Sequence, residues 1–89
     1  MSRIIKIIGN ARITKVERKG DELVNWSRRN GYLGFEGYLV IKLDEQGRLH
    51  ACIDDSRRAI ETSSGELTLL GDKAIFSTLN SIYTFEMAC

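Results

Sequence analysis

Between residues 66 and 87, apolar and polar residues alternate through three short runs separated by two-residue breaks. The pattern predicts an antiparallel meander of strands Glu66–Leu70, Lys73–Leu79 and Ile82–Met87, turning at Gly71-Asp72 and Asn80-Ser81. Gly-Asp suits the positive φ angles that tight hairpin turns require. Two-residue loops at both breaks set Leu69 opposite Ala74, Leu67 opposite Phe76, Phe76 opposite Phe85 and Thr78 opposite Tyr83. One face then collects Leu67, Leu69, Ala74, Phe76, Phe85 and Met87, and the other Thr68, Ser77, Thr84 and Glu86. A one-residue slip would exchange the faces, so the pattern specifies the register.

A second hairpin is legible upstream. Tyr38–Leu43 alternates, Asp44-Glu45-Gln46-Gly47 reads as a type I turn with Gly47 left-handed, and Leu49–Ile53 alternates back. That loop sets Leu43 opposite Leu49, Ile41 opposite Ala51 and Leu39 opposite Ile53. Two hairpins with matched apolar faces are mutually consistent evidence for β structure. Ala59–Thr62 adds a short strand after the charged connection at residues 54–58.

The first third is less regular. Arg3–Ile8 holds Ile4, Ile5, Ile7 and Ile8, a run too apolar for a half-solvated strand. It predicts a strand covered on both sides or by a second subunit, followed by a turn at Gly9-Asn10 and a strand over Ala11–Arg18. Residues 21–30 fit two descriptions. A helix has Asp21 as N-cap, Arg28 and Arg29 at its negative end and Gly31 beyond it. A strand turning at Lys19-Gly20-Asp21 instead sets Val16 against Val24 and Thr14 against Trp26. Gly31–Gly37 spaces three glycines around Tyr32, Leu33 and Phe35, the mark of a bend or of close backbone approach. The sum is a single domain over residues 1–89, mainly β. Its expected form is a small antiparallel barrel or two-layer sandwich of six to eight short strands, with one short helix near 21–30 as the variant.

Composition narrows this picture. The 43% apolar content argues against disorder, and no apolar run approaches the ~18 residues of a membrane span. The opening residues are too short and polar for a secretory signal, so the expected location is cytoplasmic. Cys52 and Cys89 form no C-x-x-C pair and no disulfide framework; Cys52 is expected to be a small buried or half-buried residue. The net charge of +1 conceals an asymmetry. Eight Lys or Arg stand against three Asp or Glu before Glu36, and five against nine from there on. Such bipolarity either steers a partner and promotes self-association, or simply solvates strand faces.

Candidate chemistry is sparse. One histidine, no G-x-S-x-G and no P-loop remove the common hydrolase and nucleotide motifs, so no enzymatic activity and no cofactor are expected. His50, Cys52 and Asp54 share strand parity, with Asp55 beside them, which is metal-ligand chemistry at reachable spacing; alternation produces the same pattern without a metal. Trp26, Arg28, Arg29, Tyr32, Phe35 and Tyr38 interleave aromatics with positive charge. This is the composition of a single-stranded nucleic-acid surface, or of a protein-binding patch at Gly31–Tyr38, or of core aromatics in a chain that needs them inside. Ile4, Ile5, Ile7 and Ile8 are the candidates for self-association, with a homodimer as the expected assembly and an unidentified protein partner as the other possibility. Finally, Thr78-Leu79-Asn80-Ser81-Ile82-Tyr83, preceded by Thr62-Ser63, resembles the closing strand of short bacterial or phage open reading frames of unknown function. The resemblance covers only the end of the chain. It implies a small accessory β protein and carries no activity and no site residues.

Overall fold

The computed structural model describes residues 3–18, 31–79 and 81–88. These residues form seven strands and no helix, hence no helix long and apolar enough to cross a membrane among them. The strands are β1 (Arg3–Arg18), β2 (Glu36–Leu43), β3 (Leu49–Asp54), β4 (Ala59–Glu61), β5 (Gly65–Leu70), β6 (Lys73–Thr78) and β7 (Ser81–Met87). All pairings are antiparallel, and β1, β2, β3, β5, β6 and β7 close into a six-stranded ring, with β4 laid beside β3. The fold is a small β-barrel.

Closure depends on β1. Its residues 3–12 pair with β2, while residues 11–18 pair with β7. A walk across the strands that leaves β1 at Arg18 passes Ser81, Thr78, Gly65, Leu49 and Leu43 and returns at Arg3. The length of β1 is thus the stagger that a closed barrel must accumulate. No turn occurs at Gly9-Asn10, contrary to the sequence expectation. The chain runs straight through, with register breaks after Ile4, Ile7 and Ile13 and with Gly9 at φ 113°. A bulge uses the same left-handed glycine that a turn would, so local sequence does not separate them.

The hairpin registers mostly follow the alternation. Leu43, Ile41 and Leu39 face Leu49, Ala51 and Ile53 as expected, around a loop with Gly47 at φ 79°. Asp44 Oδ1 accepts the amides of Gln46 and Arg48 and ties that loop. Leu67 faces Phe76 and Leu69 faces Ala74, but Leu69 is exposed rather than part of the core. Between β6 and β7 the register differs by two residues from expectation: Phe76 faces Tyr83, and Phe85 faces Ala74. Thr78 Oγ1 accepts the Ser81 amide and donates to the Ser81 carbonyl, drawing the turn in around Leu79, which stands 84% exposed. A two-residue shift preserves the faces. The core accordingly gathers Ile13, Leu39, Ile41, Ile53, Phe76, Tyr83 and Phe85.

Residues 21–30, whose helix or strand character the sequence left open, lie outside the described residues. The seam between β3 and β5 is the thinnest, with Leu49 and Gly65 its one register pair. A Cβ on Gly65 would press into the Ser77 carbonyl of β6. Gly65→Ala should therefore cost about 1–3 kcal/mol of stability, the usual range for forcing a methyl into packed structure. A urea midpoint unchanged from the parent would contradict this account of the seam.

Candidate interaction surface

Among the described residues, the first half of β1 has a strand neighbour on one side only. From Arg3 to Gly9 it pairs with β2, and no other described strand meets it there. The bulges at Ile5 and Ile8 change which residues share a face. Ile4, Ile7 and Asn10 stand opposite Lys42, Val40 and Tyr38, so one face recurs every third residue instead of every second. This explains the near-continuous isoleucine run without a cover on both sides. Ile4, Ile5 and Ile7 are 54%, 49% and 60% exposed. Ile8, which the sequence grouped with them for self-association, is instead half-buried and packed on the core, because its bulge turns it inward.

Three rows of side chains cross the outer face of β1, β2 and β3. They are Ile4–Lys42–His50, Ile7–Val40–Cys52 and Asn10–Tyr38–Asp54, the middle row continuing to Glu61 on β4. Val40 and Cys52 are buried, yet neither belongs to the core cluster. Lys42 Nζ lies 3.3 Å from Glu61 Oε1. The hydrogen bond to Glu61 holds the lysine pKa above its ordinary value, and burial pushes the Cys52 thiol up. A thiol so held is a poor nucleophile.

His50 occupies a specific environment. Its Nε2 is 2.8 Å from Asp44 Oδ2, and its Nδ1 is 3.0 Å from the Thr62 carbonyl. Both neighbours accept, so the ring makes both hydrogen bonds only when doubly protonated, as an imidazolium. The Asp44 carboxylate, and then the Thr62 carbonyl, raise the histidine pKa above its ordinary 6.5. In return His50, and then the Arg48 amide, pull Asp44 from 3.8 to about 2. The ring thus bridges the β2–β3 turn to the connection between β4 and β5. Next to it, Thr62 Oγ1 accepts the Ala51 amide, replacing a strand partner. With both nitrogens engaged, His50 is not arranged as a metal ligand. The described residues hold no group of three His, Cys, Asp or Glu placed to bind a metal ion.

The aromatic patch expected from the sequence is not assembled by the described residues. Phe35 is buried in the core with the Arg58 guanidinium 4.9 Å from its ring centroid, and Tyr32 packs against that core half-buried. Only Tyr38 is exposed, at 46%, and it lies on the outer face next to the Ile7 row. Trp26, Arg28 and Arg29 lie outside the described residues. Gly34 and Gly37 lie on either side of Phe35, Gly34 at φ 85° and Gly37 so close to β3 that a Cβ on it would come 2.6 Å from the Asp54 carbonyl oxygen. What sequence reasoning missed is the union of Tyr38 with Ile4 and Ile7. Only the two bulges reveal it, and alternation gives them no signal.

No family model, curated protein or solved structure matches the chain.

The imidazolium makes stability depend on pH with a definite sign. The raised histidine pKa contributes fully below 6.5 and is lost as pH rises through the higher folded value. The depressed Asp44 pKa contributes above 3.8 and is lost as pH falls towards about 2. The pair is therefore worth most between those two ordinary values. Denaturant melts should show stability declining above pH 6.5 in the parent. In His50→Gln they should show a lower, flatter curve over the same range. Parallel curves would refute the bridge.

Proposed function

We propose that the chain acts by binding, without catalysis, and that it associates with itself through the first half of β1. The observation that carries this reading is the cluster of Ile4, Ile5 and Ile7, each about half exposed or more, on a strand that among the described residues is paired there along one edge. Water contact with three branched aliphatic side chains is unfavourable by about 25 cal/mol per Å² of apolar surface, and a partner relieves it. Exposed contiguous apolar surface of this kind on a small domain marks an interaction site. Homodimers with two-fold symmetry are the commonest way such a patch is covered. The nucleic-acid alternative receives less support, since a stacking surface needs free aromatic faces and Phe35 and Tyr32 pack on the core.

Multi-angle light scattering across micromolar concentrations is expected to give about twice the chain mass. Ile4→Lys combined with Ile7→Lys should shift the equilibrium at least about tenfold towards monomer, because each change removes an apolar contact and adds a charge. Its melting temperature, read at concentrations where both proteins are monomeric, should stay near the parent's, since both side chains are exposed. A parent protein that stays monomeric over this range would refute self-association.

A further inference from the structure

We infer that His50 is a proton-operated latch on the β3–β5 seam: the neutral ring keeps Asp44 and lets go of the Thr62 carbonyl, and the barrel opens locally along that seam. This device goes beyond the binding reading and does not rest on it.

The geometry forces a choice on a neutral ring. Nε2 stands 2.8 Å from Asp44 Oδ2, and Nδ1 stands 3.0 Å from the Thr62 carbonyl oxygen. A neutral imidazole carries one N–H and one lone pair, so it serves one of these acceptors and turns its lone pair on the other. A lone pair against a full carboxylate charge is worse than one against a carbonyl dipole, and an N–H donated to a carboxylate is the stronger bond. The proton that leaves is therefore the one on Nδ1. Asp44 stays in place, because its Oδ1 accepts the Gln46 and Arg48 amides.

The other described charged groups around the ring leave this choice unchanged. β2 sets Lys42 opposite His50, but the ammonium lies 3.3 Å from Glu61 of β4. Cys52, two residues along β3, remains a thiol, its pKa raised by burial. Asp44, and then Thr62, hold the ring above its ordinary pKa, so release falls on the alkaline side of 6.5.

The place of Thr62 in the ring explains why the opening is local. Its amide lies 2.9 Å from the Ala51 carbonyl, and its Oγ1 accepts the Ala51 amide at 3.0 Å. Beyond it, Leu49 and Gly65 are the one register pair between β3 and β5, whereas every other seam of the ring has five or more. A carbonyl repelled by the ring turns its peptide, and that peptide leads into Ser63, whose own carbonyl holds Thr62 Oγ1. Sub-global openings begin where the fewest bonds must break. Leu49 and Leu67, half-buried on the core from the two strands of the seam, are the side chains that opening uncovers.

His50 is the chain's one histidine, so its ring nitrogens give a single set of magnetic-resonance signals. In the nitrogen-labelled full chain, Nε2 should keep the shift of an N–H nitrogen through the titration, while Nδ1 moves to that of a bare lone pair. Over the same rise in pH, hydrogen-exchange protection of the Ala51 and Thr62 amides, corrected for intrinsic rates, should fall at least about tenfold more than in the β6–β7 ladder. Asp44→Asn separates the latch from general alkaline loosening. Its side-chain oxygen still accepts the two turn amides and its N–H donates to Nε2, so a neutral ring keeps its proton on Nδ1 and stays on Thr62. This variant should show the opposite tautomer, with seam protection level with the β6–β7 ladder. Three results would each overturn the latch: a parent ring that keeps its proton on Nδ1, seam protection that falls no more than the ladder's, or an Asp44→Asn seam that opens like the parent's. All are read within one chain, so they stand apart from the test of self-association.

Discussion

An antiparallel ribbon always ends in two strands with unpaired amides and carbonyls, and a barrel removes them only if its first strand also meets its last. The stagger this requires is supplied by one strand. β1 spends residues 3–12 on β2 and residues 11–18 on β7, and it is twice the length of the next longest strand. Each half consequently has a side that the ring does not use. For the first half that side is the isoleucine-bearing edge. The exposed patch is thus a by-product of closure, and the bulges at Ile5 and Ile8 keep its unused backbone from presenting a clean template.

The opposite seam is held differently. Where β3 meets β5 the ladder is reduced to Leu49 and Gly65, and side chains take over from backbone. Thr62 Oγ1 supplies the Ala51 amide with its acceptor, and His50 joins the Thr62 carbonyl to Asp44. Asp44 also organises the β2–β3 turn through two amides, so one carboxylate couples the turn to the seam. The same imidazolium sits at the end of the outer-face row that begins at Ile4. The group that fastens the barrel therefore also borders its outer face.

Much of this was readable from residue order. The β2–β3 register followed in full from alternation and one left-handed glycine, and the β5–β6 register likewise, because a single turn determines each. The β6–β7 turn shifted by two residues because Thr78 clasps Ser81, a side-chain contact that turn propensity does not encode. Within β1, Gly9-Asn10 carried a turn signal that barrel closure overrode. At the surface, the isoleucines stood out as an excess over alternation, but their alignment with Tyr38 depends on two inserted residues that leave no mark in the sequence. Phe35 was legible both ways, as a patch residue and as a core aromatic, and the core reading holds. Glycines on either side suit an exposed loop aromatic and a core plug alike, and only the packing separates the two.

The pairing of residues 11–18 with residues 81–87 has a kinetic side. The meander from β5 to β7 is local, and each hairpin in it closes a short loop. The β1–β7 ladder must instead bring together segments from opposite ends of the chain, and the entropy of that closure is lost before its contacts form. On a ribosome β1 emerges first, yet its second neighbour does not exist until the residues of β7 have been made. During that interval both of its halves stand partly unpaired. A strand that waits longest for its partner is the one most exposed to wrong ones, and Lys6 and the paired bulges sit where that hazard is greatest.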